Sequence, residues 1–393
     1  MEGYNKKVIM SYWTICRMKT TKKIYVKVSI IFLLGGILLF SSCEKEENQK
    51  IEANRKTLFM YLPWSSNLTN YFYNNISDLE KCITKIGLNN EKVIVFISTG
   101  STEAMMFEIV SSHGRCKREI LKKYKSPPFT TIDGITAILN DVKAFAPASV
   151  YTMIIGCHGM GWLPVYEMKV RSAPHMKMHW EYQGVPLTRY FGGLTAEYQT
   201  DIKSLASGIA NAGMKMEYIL FDDCYMSSIE VAYELKDVTK YLIGSTSEMM
   251  AYGMPYAAIG EYLLGNPDYQ SGCEEFYNFY STYEIMPCGT LAVTDCSELE
   301  NMAAIIKSIN SKYSFDKSLR GTIQRLDGYT PVIFYDFADY ITSLCNDPIL
   351  LNQFREQLNH LVPYKTHTKN FYTMAKGIIP INTFSGITTS DPS

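Results

Sequence analysis

Two short segments each combine an apolar run with a side chain that can carry out nucleophilic chemistry. The first, YTMIIGCHGMGW, places His158 where its apolar residues end, and the second, MEYILFDDCYMSS, places Cys224 at the corresponding point. If both runs are neighbouring parallel strands, their carboxyl ends lie at one edge of a sheet, where α/β proteins bind ligands. A thiol and an imidazole at that edge are the components of a cysteine nucleophile and its acid–base partner.

The surroundings of His158 favour a functional role over that of a satisfied structural histidine. Gly156 and Gly159 flank it and Gly161 follows, so a substrate has room to approach the main chain. The remaining candidates lie in a polar turn or in an irregular segment, where we expect solvated side chains: His113, His175 and His179.

Cys224 has two competing interpretations, a buried thiol and a reactive one. It follows Asp222 and Asp223 and precedes the helical pattern YMSSIEVAYEL, so we expect it near a helix N-terminus, which lowers a thiol pKa. Cys157 is the competing nucleophile. Because it adjoins His158 at a strand end, alternation directs the two side chains to opposite faces, which favours Cys224.

Apolar runs rich in β-branched and aromatic residues alternate with segments that have apolar residues three or four positions apart. This alternation predicts an α/β fold with a mainly parallel sheet flanked by helices on both faces. The predicted strands are 57–63, 92–99, 149–157, 217–223, 241–247 and 289–295. The predicted helices are 70–86, 134–146, 201–213, 227–238 and 297–313. The segment 160–200 lacks both patterns, and we interpret it as a surface excursion beside the active face.

The composition excludes several classes of function. With 38 basic and 39 acidic residues and no basic stripe, the chain has no electrostatic footprint for nucleic acid. Its ten cysteines form no CxxC pair and no metal-type cluster, so we predict no metal site and interpret most of them as buried apolar residues. Cys288 and Cys296 are one candidate disulfide pair.

Residues 1–43 have the composition of an export signal. Basic residues precede an apolar run from Val28 to Phe40 that is too short to span a bilayer comfortably. The sequence FSSC ends at Cys43 and resembles the lipobox of bacterial lipoproteins, in which cleavage leaves a lipid-bearing cysteine. The resemblance implies a protein held at a membrane of the bacterial cell envelope by N-terminal lipid. An uncleaved signal anchor is the alternative.

The remainder of the chain divides into a tether and one domain. Residues 44–56 are polar and have little to bury, whereas 57–393 contain no Pro/Gly/Ser linker or charge block. The acidic EKEE after Cys43 resembles export signals of surface lipoproteins, which implies exposure on the outer membrane.

Taken together, the two motifs resemble those of the clostripain family of cysteine peptidases, relatives of caspases and gingipains. CHGMGW resembles the family's histidine motif, with Cys157 in place of the more usual Ser. DDCYMSSIEVAYEL resembles its nucleophile motif, and YLPWSSNL its first strand with the Asn-Leu that follows. The similarity runs from Thr57 to the FSG at 384–386 and implies a caspase-like fold.

The resemblance also implies roles for individual residues. Cys224 would attack the scissile carbonyl of a peptide or protein substrate, and His158 would protonate the leaving amine. The N–H groups of Gly159 and Cys224 would hold the oxyanion. Asp222 is a candidate for binding a basic P1 side chain, with a turn or helix-start carboxylate as the alternative.

One segment departs from the family pattern. In STSEMMAYGMPY, Glu248 is retained, but Tyr252 stands where relatives have an Asp that contributes to Arg/Lys recognition. This change weakens the expectation of a strict basic P1 preference. Self-cleavage occurs in some relatives and is expected here within 165–180, at three basic candidates: Lys169, Arg171 and Lys177.

Calcium dependence is implied only by the resemblance, since no EF-hand-like run of acidic ligands is present. Two non-catalytic alternatives stay open at this point. One is a weak or inactive relative that binds peptides or envelope proteins through the same groove, and the other is a glycan-binding lipoprotein.

Overall fold

The computed structural model describes residues 54–163, 188–189 and 198–393. Ala53–Ser393 form one compact unit. The export signal with Cys43, most of the tether and the expected cleavage segment 165–180 lie outside the described residues. Within the described ranges, no helix has the length and apolar character needed to cross a membrane.

The strands of the described chain follow one another over its whole length. They are β1 (Asn54–Leu62), β2 (Glu91–Ser98), β3 (Glu103–Ser112), β4 (Arg115–Lys125), β5 (Ala148–Ile155), β6 (Thr188–Arg189), β7 (Met216–Phe221), β8 (Thr239–Gly244), β9 (Met249–Met250), β10 (Thr290–Asp295), β11 (Tyr335–Asp336), β12 (Tyr364–His367), β13 (Asn370–Thr373), β14 (Gly377–Pro380) and β15 (Thr388–Thr389).

A nine-stranded sheet has the order β12-β10-β8-β7-β5-β1-β2-β3-β4. Its central strands β8, β7, β5, β1 and β2 are parallel, whereas the two outer strands at each edge are antiparallel to their inner neighbours. The carboxyl ends of the parallel strands therefore meet at one edge, as the sequence predicts.

Helices cover both faces of the sheet. They are α1 (Thr69–Ile86), α2 (Ile132–Phe145), α3 (Ile202–Asn211), α4 (Ile229–Leu235), α5 (Tyr256–Leu263), α6 (Tyr269–Ser281), α7 (Leu299–Asn310), α8 (Phe337–Leu344) and α9 (Pro348–Leu361). α1 packs beside α5, α2 beside α3, and α7 beside α9. This architecture confirms the predicted mainly parallel sheet with flanking helices.

All six predicted strands and all five predicted helices are present, with ends shifted by a few residues. β1 begins at Asn54, so the last residues of the predicted tether belong to the sheet. The central strands were recognisable because both of their faces are buried, which makes their sequences almost continuously apolar. The β3–β4 hairpin was not predicted, since β4 is an exposed and highly charged edge strand.

The described cysteines are all free thiols, including Cys288 and Cys296, so the candidate disulfide is not formed. Both side chains are buried. Burial raises the pKa of Cys288 to about 11 and that of Cys296 to about 12, which keeps both thiols protonated and unreactive at neutral pH.

Candidate active site

The two motif-bearing turns leave adjacent strands at the same edge of the sheet. β5 and β7 pair in parallel, with Ile155 opposite Phe221. The ladder ends with a hydrogen bond from the Asp222 N–H to the Ile155 carbonyl, 2.8 Å long. His158 and Cys224 follow within a few residues, so the fold brings the predicted nucleophile and its acid–base partner to neighbouring turns.

Gly159 is the point of closest approach between these turns. A Cβ atom built on Gly159 would lie 2.2 Å from the carbonyl oxygen of Cys224 and 2.9 Å from its nitrogen, so no larger residue fits. Within the described part of the chain, no group accepts a hydrogen bond from the Gly159 N–H. This N–H therefore has the environment that the predicted oxyanion donor requires.

His158 is buried, and its Nε2 atom lies 2.8 Å from Oδ1 of Asn67. Asn67 comes shortly after β1, which pairs with β5, so the residues after β1 reach the histidine turn. Because an amide oxygen only accepts hydrogen bonds, the proton lies on Nε2 and Nδ1 is left as the basic nitrogen. Asn67 was not predicted as a site residue, although its signal was the Asn-Leu pair in YLPWSSNL.

The thiol of Cys224 is completely buried. Its Sγ atom accepts a hydrogen bond from the Met249 N–H at 3.1 Å and lies 3.7 Å from the Met249 carbonyl oxygen. The hydrogen bond donated to the sulfur favours the thiolate, whereas burial and the contact with the Met249 carbonyl, to which the thiol can donate, favour the thiol. Met249 belongs to β9, which pairs with β6. A short antiparallel ribbon therefore includes the residue that contacts Cys224.

The helix after Cys224 starts later than the sequence indicated. α4 begins only at Ile229, and the hydroxyl of Ser228 caps it by accepting from the Val231 N–H at 3.2 Å. Serine is a favoured N-cap residue, so the helix begins directly after it. Four residues therefore separate Cys224 from the first residue of α4, and the backbone donor that contacts its sulfur is the Met249 N–H.

Tyr225 lies in the turn between Cys224 and α4. Its φ of 61° lies in the left-handed region, which is costly for a non-glycine residue. The ring stacks on Phe334 with a centroid distance of 4.7 Å, and the hydroxyl donates to Glu248 at 2.9 Å. These contacts hold the backbone that presents Cys224.

Glu248, a predicted substrate-binding residue, is a buried connector of three segments. One carboxylate oxygen accepts from the Tyr225 hydroxyl, while the other accepts from the Thr188 hydroxyl at 2.7 Å and from the Met374 N–H at 3.0 Å. A buried carboxylate is stable when donors surround it in this way. Glu248 thus holds together the segments that contain Tyr225, Thr188 and Met374.

Asp222 is also buried and supports the segment after β9. Its two oxygens accept from the Met254 N–H and the Tyr256 hydroxyl, each at 2.8 Å. These bonds fit the alternative interpretation of Asp222 as a turn carboxylate.

Tyr252 is half-buried and directs its hydroxyl toward α1. The hydroxyl donates to Asp78 Oδ2 at 2.6 Å, and the ring stacks on Phe279 at 5.0 Å. Burial and the neighbouring Asp78 carboxylate raise the pKa of Tyr252, so it stays protonated. The carboxylate of Asp78 therefore lies directly behind Tyr252.

The other predicted residues have simpler surroundings. His113 is exposed in the β3–β4 turn, as expected, whereas His175 and His179 lie outside the described residues. The structure has no group of three or more His, Cys, Asp or Glu side chains arranged to hold a metal ion within the ranges it describes. A thiol, that of Cys224, and an imidazole, that of His158, therefore lie at this edge together with the Gly159 N–H.

The model of the clostripain family matches residues 60–379. Both motif-bearing turns and the wall formed by 248–256 lie inside this match. The chain belongs to the clostripain family. This clostripain-family chain is accordingly a cysteine peptidase, and family membership favours catalysis over the binding-protein and glycan-binding alternatives.

Solved structures agree with this assignment. A secreted C11 cysteine protease from Bacteroides thetaiotaomicron, iotapain, is 60% identical, with a TM-score of 0.80 over 87% of this chain and 94% of its own. A clostripain from the same species, in complex with the peptide inhibitor BTN-VLTK-AOMK, is 68% identical over 52% of this chain and 91% of its own, with a TM-score of 0.51.

A third structure, an inactive zymogen C11 protease from Parabacteroides distasonis, is 24% identical and shares the fold, with a TM-score of 0.71 over 86% of this chain and 92% of its own. No protein of curated function matches the chain. The caspase-like fold implied by the sequence motifs is confirmed.

Proposed function

We propose that this clostripain-family protein is an endopeptidase that uses Cys224 and His158 as a catalytic dyad. The observation that carries the proposal is the contact between their two turns at Gly159, with a hydrogen bond donated to the Cys224 sulfur and an amide acceptor for His158 Nε2. These features supply a stabilised thiolate and a correctly protonated imidazole.

In this mechanism the Cys224 thiolate adds to the scissile carbonyl carbon. The negative charge on the carbonyl oxygen is met by the N–H groups of Gly159 and Cys224, and one such donor contributes about 10²–10³-fold in rate. His158 in its imidazolium form gives a proton to the leaving amine. The imidazole then removes a proton from the water that hydrolyses the acyl-enzyme.

The proposed P1 preference is for lysine or arginine, with less discrimination than two acidic pocket residues would give. A relative 68% identical binds a peptide inhibitor whose peptide part, VLTK, ends in lysine. Asp222 supports this preference, because its carboxylate contacts Met254 and Tyr256 of the wall formed by 248–256. Tyr252 reduces it, since a neutral hydroxyl replaces a carboxylate partner.

A P1-diverse peptide library tests the activity and the preference together. The chain from Glu44 onward should hydrolyse peptides with P1 Lys or Arg, and Cys224→Ala and His158→Ala should each abolish hydrolysis. Tyr252→Asp should increase the preference for basic over neutral P1 residues by about tenfold, which corresponds to a difference of roughly 1.4 kcal/mol in transition-state free energy. Hydrolysis that survives Cys224→Ala would contradict the proposal.

Self-cleavage within 165–180 is the second part of the proposal. The thiol has no exposed surface in the uncut chain, and β9, which contacts it, pairs with β6 from the far side of that segment. Cleavage after Lys169, Arg171 or Lys177 would free this connection. Intact mass after long incubation should show two fragments, and the Cys224→Ala protein should stay whole.

The location we propose is the bacterial cell envelope, with lipid attached at Cys43 and exposure on the outer membrane. A relative that is 60% identical is described as secreted, which supports export. Metabolic labelling with a fatty acid should mark the wild-type protein and leave Cys43→Ser unlabelled. Recovery of Cys43→Ser in the membrane fraction at the wild-type level would contradict the lipid anchor.

A further inference from the structure

Asp223 links the histidine turn directly to the nucleophile turn. It immediately precedes Cys224, and its side chain is fully buried. Its Oδ1 atom accepts a hydrogen bond from the backbone N–H of Cys157 at 2.5 Å, and its Oδ2 atom accepts one from the Cys157 thiol at 3.4 Å. Cys157 in turn immediately precedes His158. The side chain of the residue before Cys224 therefore binds the residue before His158.

The position of this contact explains why a carboxylate is needed there. The last main-chain bond between β5 and β7 joins Asp222 to Ile155. Beyond it the strands have ended, and Asp223 Oδ1 accepts the next N–H on the β7 side of the histidine strand, that of Cys157, while the Gly156 N–H donates to Tyr61 of β1. The side chain thus extends the ladder by one step, and ionised acceptors make shorter and stronger bonds than carbonyl groups.

Packing on the other side restricts the histidine turn further. A Cβ atom on Gly159 would lie 2.8 Å from the Cβ of Asp223. The turn Cys157–Gly159 is therefore held at its first residue by the carboxylate and at its last by close packing. The imidazole of His158 lies between these two fixed points.

We propose that Asp223 is a positioning residue that fixes the separation of the imidazole and the thiol. This inference rests on the proposed Cys224–His158 dyad. Asp223 acts through the Cys157 backbone and does not touch substrate. The backbone bond is the more important of its two contacts, because a thiol is a weak donor.

This role predicts a specific kinetic signature. Asp223→Asn keeps the shape of the side chain and one acceptor oxygen. It removes the charge and places an amide donor against the Cys157 thiol, so the bond that holds the histidine turn is weakened. We expect kcat to fall by about tenfold, as the weakening of one charge-assisted hydrogen bond by roughly 1.4 kcal/mol implies, and KM to change by less than about threefold. With imidazolium displaced from the sulfur, the acid limb of the kcat/KM profile should rise by about one pH unit.

Variants at Cys157 separate the backbone contact from the thiol contact. Cys157→Ser replaces the thiol donor toward Asp223 by a hydroxyl donor. It should keep kcat within about threefold of wild type, because a single hydrogen bond contributes little and is changed only in its geometry. Cys157→Ala should lose less than about tenfold for the same reason. Asp237→Asn, an exposed carboxylate with 88% of its side chain accessible, is the matched control and should be unchanged.

The experiment compares kcat, KM, pH profiles and thermal unfolding of these variants with Cys224→Ala and His158→Ala on one P1 Lys peptide. Asp223→Glu keeps the charge but moves the acceptor, so it should fold and lose at least about tenfold in kcat, equivalent to roughly 1.4 kcal/mol. A folded Asp223→Asn with wild-type kcat and an unmoved acid limb overturns the inference, as does failure of both Asp223→Asn and Asp223→Glu to fold.

These outcomes separate the inference from the proposed function. If wild-type hydrolysis does not depend on Cys224 and His158, the dyad is refuted and the positioning role is refuted with it. If wild-type hydrolysis depends on both residues while the Asp223 variants are unaffected, only the positioning role is refuted.

Discussion

Asn67→Ala removes the acceptor that fixes the ring of His158. Its Oδ1 lies 2.8 Å from Nε2, and without it the imidazole can rotate or place its proton on the other nitrogen. Asn67 is exposed, so water can replace part of the lost bond. The cost is therefore about 1–2 kcal/mol in the transition state, somewhat above the net worth of one neutral hydrogen bond.

That energy corresponds to a loss of about 5–30-fold in kcat/KM. His158→Ala should cost far more, about 10²–10⁴-fold, because it removes the acid–base group itself. Asn67→Asp should retain the acceptor and add a charge that stabilises the imidazolium, so the alkaline limb of the pH profile should move to higher pH. Steady-state hydrolysis of one peptide from pH 5 to pH 10 measures all three effects.

The matched control is Asn70→Ala, an exposed position at the start of α1 that should leave the kinetics unchanged. Activity of Asn67→Ala within twofold of wild type, together with an unmoved pH profile for Asn67→Asp, would refute the proposed orientation of His158.

Three further substitutions test other parts of the structure. Gly159→Ala places a methyl group against the Cys224 carbonyl and should reduce kcat/KM by at least about 10²-fold, whereas retention of activity in a folded variant would contradict the packing of the two turns. Lys56 has a pKa lowered by burial to about 8, below its ordinary value of about 10.4, so at this group the unfolded chain binds more protons between these values. Lys56 therefore adds a positive slope to the unfolding free energy from pH 8 to 9.5, opposite in sign to the contribution of the buried cysteines. Lys56→Met should remove this contribution and give a lower slope than wild type, and equal slopes in denaturant titrations would contradict it. Glu248→Gln places an amide donor among the groups that donate to the carboxylate and should destabilise the fold by about 1–3 kcal/mol, whereas an unchanged melting temperature would show that the Tyr225 contact is dispensable.

The sequence predicted the centre of the fold because burial on two faces leaves a clear pattern. β1, β2, β5 and β7 are short apolar runs with helical spacing in the segments between them, and this alternation predicts parallel pairing. The hairpin β3–β4 and helix α6 were not predicted. β4 carries charges at most positions, and α6, YQSGCEEFYNFYS, has aromatic residues on several faces, so neither shows a clean period.

Some residues of the site could likewise be predicted from the sequence, and others could not. Cys224 and His158 could be identified because each follows a recognisable strand, and the chain order then requires both at one sheet edge. Asn67 and Asp223 depend on how the turns after the strands bend, which local patterns do not determine. The late start of α4 did have a signal, since Ser228 is a good N-cap residue directly before the apolar pattern that begins at Ile229.

The most direct test of the central claim is to map the residue labelled by a thiol-reactive peptide inhibitor that ends in lysine. The dyad predicts one adduct, on Cys224, and a strongly reduced labelling rate in His158→Ala. An adduct on Cys157, or equal labelling rates in wild type and His158→Ala, would contradict the assignment of Cys224 as the nucleophile activated by His158.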